Sequence, residues 1–97
     1  MKYTKLLGVI AMSHRLKNDV IVDGVCKGLY VSTIFLGAGY NLVVPPLCYE
    51  TMIFNADEAI YCKRYSELIE ALEGHDKIIR KLSVATSLEN IQEILGD

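Results

Sequence analysis

Ser66-Glu67-Leu68-Ile69-Glu70-Ala71-Leu72-Glu73-Gly74-His75-Asp76-Lys77-Ile78-Ile79-Arg80-Lys81-Leu82 is the stretch that decides the fold, because the period of the chain changes there. Leu68, Leu72, His75, Ile79 and Leu82 recur at spacings of 4, 3, 4 and 3, and Ile69 and Ile78 widen the stripe. That pattern predicts one amphipathic helix of about 16 residues lying on a sheet. Ser66 is placed to cap its N-terminus, and Glu67 lies in the first turn, where the helix dipole favours an anion. Gly74 inside the helix weakens it by roughly 1 kcal/mol relative to Ala. It also leaves room for close approach of the sheet or of a ligand.

Outward from this helix toward the N-terminus, the apolar residues come in short runs with strand character. Leu6–Met12 is apolar and β-compatible, Ser13–Asp19 reads as polar with a turn, and Val20–Cys26 alternates loosely around an Asp23-Gly24 turn or bulge signal. Leu29–Leu36 is the clearest strand. Gly37-Ala38-Gly39-Tyr40-Asn41 is a loop, and Pro45-Pro46 stops regular pairing after Leu42–Val44. Cys48–Phe54 and Ala59–Tyr65 are two further strands around a turn at Asn55–Glu58. Toward the C-terminus, Thr86-x-x-Glu89 reads as the capping box of a short second helix carrying Leu88, Ile91, Ile94 and Leu95. Strands first and helices last predict an α+β domain over residues 1–97. Its antiparallel sheet has four or five strands and is followed by one packed amphipathic helix and a short C-terminal helix. Cys48–Phe54 is largely apolar on both faces, which predicts cover on both sides and a homo-oligomer.

A chain of 97 residues, 52% hydrophobic and 23% charged, has the composition of one folded globular domain. Ten Lys+Arg against twelve Asp+Glu give a net charge of −2, which supplies no basic excess for binding a nucleic-acid backbone. Gly28 to Tyr49 holds no charged residue, but its glycines, Asn41 and Pro45-Pro46 read as strands and a loop, not as a membrane span. Lys2, Lys5 and the seven-residue run Leu6–Met12 imitate a signal sequence without a cleavage site, so a first strand is expected there.

Cys26, Cys48 and Cys62 form no CxxC pair and no zinc spacing with His14 or His75; half-buried free thiols are expected, with no metal and no cofactor. No phosphate-binding P-loop, dinucleotide fingerprint, HExxH or GxSxG is present. With two histidines and no catalytic constellation, the sequence argues against an enzyme.

Six residues stand out. Glu50 lies between apolar neighbours in a strand and must be paired, ligand-bound or turned to water; Arg64 is its candidate partner. His75 on the apolar stripe is either a core histidine satisfied by a strand or a group holding an anionic or nucleobase ligand. Arg64-Tyr65, just before the helix, could hold a phosphate together with the N–H groups of Glu67 and Leu68, against the opposing charge of Glu67 and Glu70. Tyr40-Asn41 forms either a plain hairpin loop or a platform that stacks on a planar ligand and bonds its edge.

Three segments together carry a resemblance: Val31-Ser32-Thr33-Ile34-Phe35-Leu36-Gly37, Pro45-Pro46-Leu47-Cys48-Tyr49-Glu50-Thr51-Met52-Ile53-Phe54, and Arg64-Tyr65-Ser66 with Ala71 and Gly74-His75. Over roughly residues 29–79 the chain resembles a family of small bacteriophage and prophage proteins with VSTVFLG, PPLxFETMVF and RYS/T…EAxxGH motifs. Members often carry an Asp-His pair shortly after the first motif, where this chain has Ala38-Gly39-Tyr40.

The resemblance implies a phage accessory protein of the host bacterial cytoplasm that antagonises bacterial immunity. The reading that follows is a non-enzymatic binder that sequesters a small nucleotide-like signal. Arg64 would meet phosphate, Tyr65 and Tyr40 would stack, and Asn41, Glu50 and His75 would complete the site. A protein–protein inhibitor of a host defence effector and a small hydrolase of the signal are the alternatives. Binding to nucleic acid or to a membrane is not expected.

Overall fold

The computed structural model describes residues 15–37 and 46–96. Four strands, β1 (Arg15–Val20), β2 (Tyr30–Phe35), β3 (Tyr49–Asn55) and β4 (Glu58–Tyr65), precede helix α1 (Leu68–Val84) and the short helix α2 (Ile91–Leu95). The strands form one antiparallel sheet in the order β1-β2-β3-β4, so each pairs with its neighbour in sequence. This is the expected α+β meander with its helices last. The expected strand at Leu6–Met12, the Tyr40-Asn41 loop and Leu42–Val44 lie outside the described residues.

β2, β3 and β4 fall where the apolar runs predict them. β1 does not: the strand is Arg15–Val20, most of which reads as a polar turn, whereas Val20–Cys26 is mainly turn. Side-chain pairing holds this polar strand in place of apolar burial. The Tyr30 hydroxyl donates to Asn18 Oδ1 at 2.6 Å, Lys17 pairs with Asp76 of α1, and Asp19 meets His75 of α1. Gly24 (φ 83°) and Gly28 (φ 96°) then turn the chain through the left-handed region. The loop between them is closed by Ile21 N–H donating to Leu29 O (2.9 Å) and Gly28 N–H donating to Ile21 O (2.8 Å).

The main core lies between the sheet and the helices, built from Ile21, Cys26, Leu29, Val31, Ile53, Tyr61, Ile78, Leu82 and Leu95. The buried face of α1 runs through Ala71, His75, Ile78 and Leu82. Leu68 and Ile69, expected on the apolar stripe, are exposed. His75 reaches down to β2, and that anchor sets which face of α1 turns to the sheet. On the opposite face of the sheet Ile34, Met52 and Phe54 are buried as a second cluster, beside Glu50 and Ser32. Both faces of β3 are thus buried, as its apolar composition predicts.

The helix ends correct two further expectations. Glu67, not Ser66, is the N-cap of α1 and makes no side-chain cap; Ser66 Oγ instead donates to Glu70 Oε1 at 3.4 Å. The Thr86-x-x-Glu89 box is not used. α2 is capped by Asn90, whose Oδ1 accepts from Glu93 N–H at 3.3 Å, and it ends on Gly96 in the left-handed region. An Asn one residue before the helix bonds its own first turn, whereas Thr86 is too far upstream to do so.

Gly74 makes the close approach that its position suggests. A Cβ there would sit 2.3 Å from the Tyr65 hydroxyl and 2.6 Å from its ring carbon Cζ. Helix propensity alone makes Gly74→Ala stabilising by about 1 kcal/mol, but forced overpacking costs ~1–3 kcal/mol. Gly74→Ala is expected to lower the unfolding free energy in the native background and to raise it in a Tyr65→Leu background. Chemical denaturation of the four chains checks this reversal of sign, and the same sign in both backgrounds removes the Tyr65 contact as the reason for the glycine.

Candidate functional site

Two polar clusters and one cleft hold the chemistry-bearing side chains. The first cluster spans the sheet. His75 is fully buried. Its Nε2 lies 2.8 Å from Asp19 Oδ2 on β1 and its Nδ1 lies 2.8 Å from Thr33 Oγ1 on β2. Thr33 Oγ1 lies 2.5 Å from Thr51 Oγ1, its cross-strand partner on β3, and Thr51 is hydrogen-bonded to the Tyr65 phenol on β4. One residue from each strand and one from α1 therefore form a single chain. A neutral imidazole with its proton on Nε2 satisfies every member. His75 donates to the Asp19 carboxylate, Thr33 donates to Nδ1, Thr51 donates to Thr33, and Tyr65 donates to Thr51. Burial raises the Tyr65 phenol above its ordinary value, and the Glu70 charge adds to it.

The order Asp-His-Thr imitates that of a hydrolase triad, but the position of the hydroxyl does not serve that chemistry. Thr33 and Thr51 are fully buried, so no substrate carbonyl reaches Thr33 Oγ1 in this packing. The chain of bonds instead holds α1 on the sheet.

The second cluster sits on the other face. Glu50 is 2% exposed and accepts from Arg64 Nε at 2.9 Å and from the Cys62 thiol at 3.3 Å. The expected Glu50–Arg64 pair is therefore present. Cys62 as a residue is exposed, but its Sγ lies against the buried carboxylate. Partial burial, the Glu50 charge and the hydrogen bond to it push the thiol up to about 12. All three cysteines are free; Cys26 is buried, Cys48 is half-buried and Cys62 is exposed, so only Cys48 matches the half-buried expectation.

The cleft lies between β4 and α1, closed at one end by Leu95 of α2, and has a volume of about 580 Å³. That is within the range of small-molecule sites. Lys63 and Arg64 from β4 and Lys77, Arg80 and Lys81 from α1 line it, with Glu70 and Glu73 as the opposing charges. Half of the ten basic residues of an acidic chain thus converge on one cleft. Lys63 Nζ lies 5.7 Å over the Tyr65 ring, and Lys81 Nζ donates to Leu95 O at 2.7 Å, tying α2 to α1.

Of the residues singled out from sequence, Arg64 and Tyr65 line the cleft. Glu50 and His75 are buried in the two clusters and do not, and Tyr40 and Asn41 lie outside the described residues. The anion site imagined at the N-terminus of α1 is displaced: the cleft runs along the flank of the helix, and neither Glu67 nor Leu68 lines it. Sequence reasoning missed Lys63, Lys77, Arg80 and Lys81. The signal was there in the i, i+3, i+4 spacing of the last three, which puts them on one side of a helix. It was obscured because a charged helix flank ordinarily means solvent. Among the described residues no group of His, Cys, Asp and Glu comes together as metal ligands would, and no helix is long and apolar enough to cross a membrane. No protein-family model, no curated protein and no solved structure matches the chain.

Thr33→Val removes the donor to Nδ1 and the acceptor of Thr51 together, and is expected to cost about 1–3 kcal/mol. Nitrogen NMR of His75 is expected to find the proton on Nε2 in the native chain; a proton on Nδ1 alone overturns the donor order. The Cys62 shift also sets a pH dependence. The folded thiol resists ionisation more than the unfolded one at 9.0, so its contribution is intact below about 9 and is lost as pH rises toward about 12. Cys62→Ser is expected to lose stability less steeply above that lower value in thermal unfolding; equal slopes for both chains would count against the Glu50–Cys62 contact.

Proposed function

We propose that the chain is a non-enzymatic phage accessory protein that antagonises bacterial immunity by binding and sequestering a small nucleotide-like signal. The observation that carries the binding reading is the cationic cleft on an acidic chain: five Lys and Arg side chains against two carboxylates around about 580 Å³. A concave site with clustered charge of one sign raises the local concentration of an oppositely charged ligand. Phosphate-bearing small molecules have the size and charge for it, whereas a net charge of −2 works against a long nucleic acid. The phage context and the anti-defence role rest on the resemblance of the Val31–Gly37, Pro45–Phe54 and Arg64–His75 motifs. The sequestering role is favoured over a hydrolytic one because the Asp19-His75-Thr33 hydroxyl is sealed beneath α1.

Arg64 is a poor probe of the site, since it also neutralises the buried Glu50, and its loss would leave that carboxylate buried without a cation. Lys77 and Arg80 are exposed and report on binding alone. Thermal unfolding with cyclic dinucleotides, cyclic trinucleotides and cyclic ADP-ribose species is the test. A sequestered ligand at ~100-fold over its Kd adds about 2.7 kcal/mol, a rise of roughly 10 °C or more for a domain of this size. The ligand should be recovered unchanged after heating, and the shift should shrink in Lys77→Gln with Arg80→Gln. A changed ligand makes the protein a hydrolase. No shift across the panel removes the nucleotide reading, and capture of one host protein from lysate then points to a protein inhibitor.

A further inference from the structure

The charges that α1 brings to the cleft are sorted along it, and Lys63 and Arg64 of β4 add two cations on the facing wall. Glu70 and Glu73 stand toward its N-terminal end beside Ser66, and Lys77, Arg80 and Lys81 toward its C-terminal end beside Leu95. The two groups are centred about eight residues apart, or ~12 Å at 1.5 Å per residue. The helix macrodipole accounts for part of such sorting, but it acts within the first and last turns. Glu73 and Lys77 lie inward of those turns in a helix that spans Leu68–Val84. They are four residues apart, the spacing at which a pair would close, yet no ion pair joins them. Glu70 accepts from Ser66, while Glu73 has no hydrogen bond or ion pair among the described residues.

Carboxylates at one end would repel a phosphate at the other only weakly. The separation of the two centres exceeds the screening length of about 8 Å at physiological ionic strength, although Glu73 itself stands only ~6 Å along the axis from Lys77. An anion seated by Arg80 and Lys81 is therefore little disturbed by Glu70 and Glu73. A carboxylate accepts hydrogen bonds and donates none, so the acidic end selects a group rich in donors. Among nucleobases, guanine presents two adjacent donors on its Watson–Crick edge, the ring N1–H and the N2 amino group, which match the two oxygens of one carboxylate. The distance from that edge to the phosphate of the same nucleotide is of the order of the separation along α1.

We infer that the cleft reads both ends of its ligand: Lys77, Arg80 and Lys81 take the phosphate, and Glu73, with Glu70 beside it, takes the donor edge of a guanine base. This rests on the nucleotide-binding reading above and adds the base class and the orientation to it. Glu73 is the residue that sets specificity. The cations set affinity for any nucleotide.

Calorimetric titration with guanosine monophosphate and inosine monophosphate tests it, because the two differ only by the N2 amino group. The native chain is expected to bind the guanine nucleotide several-fold more tightly. Glu73→Gln should erase most of that preference, and Lys77→Gln should weaken both nucleotides by a similar factor and keep the preference. Both side chains are exposed, and an unchanged melting temperature confirms that the variants fold. Binding of both nucleotides with equal affinity, or a preference that survives in both Glu73→Gln and Glu70→Gln, overturns the guanine assignment while leaving nucleotide binding intact. Binding of neither nucleotide overturns the guanine assignment, and the nucleotide-binding reading falls with it when the cyclic nucleotides also give no thermal shift.

Discussion

The burial of His75 against Thr33 is the constraint on which the rest of the structure depends. A polar ring with no solvent exposure must have both nitrogens satisfied, because an orphaned buried group costs about 1–3 kcal/mol. Here one nitrogen meets Asp19 and the other meets Thr33, and the bonds continue through Thr51 to Tyr65. Only one rotation of α1 and one strand register place all five groups in line. Apolar contacts alone would tolerate a helix slid or rolled by a fraction of a turn; a directional chain of bonds does not. Tyr65 can join that chain only because Gly74 leaves space for its hydroxyl beneath the helix.

The opposite face of the sheet is organised by a charge in place of a neutral chain. Glu50 is taken out of water with one carboxylate oxygen engaged by both Arg64 and Cys62. A pair with one member buried and the other exposed is weak support for stability, since desolvation of the carboxylate offsets much of the attraction. Its effect is on register. Glu50 lies directly across from Arg64 in the β3–β4 pairing, and a slip of one residue would leave the carboxylate buried without its cation. The two faces of β3 thus carry independent devices for the same purpose, Thr51 on one and Glu50 on the other.

These devices explain what could be read along the chain. β2, β3, β4 and α1 have apolar periodicity because they flank the cores, so their positions follow from hydropathy. β1 has none to offer. Arg15–Val20 is a strand because Lys17, Asn18 and Asp19 find partners on α1 and β2, and such partners are not visible in one dimension. The Glu50–Arg64 pair was legible, since an isolated carboxylate in an apolar strand needs a cation. His75 as a strand-satisfied core group was legible too, though not that Thr33 would be the group it meets. Ser66 and Thr86 were misleading as caps because their side chains were judged without knowing where the helices start. The cleft was the least legible part, since it needs β4, α1 and α2 in register before its cations share a wall.

That difference separates most residues that specify the fold from those that only line the cleft; Arg64, Tyr65 and Gly74 do both. Thr33, Glu50, Thr51, Arg64, Tyr65, Gly74 and His75 stand among the residues of the three motif segments, and every one of them belongs to the two clusters or to the contact beneath α1. Their presence in those motifs is accounted for by packing and hydrogen bonding, with no ligand required. Lys63, Glu73, Lys77, Arg80 and Lys81 lie outside the motif positions and project from the same scaffold into the cleft. Exchanging them leaves both polar clusters intact, so one frame can present different charge patterns to different small molecules. The charge of the cleft is thus set by the flank of α1 and the edge of β4, apart from the bonds that hold the sheet and helix together.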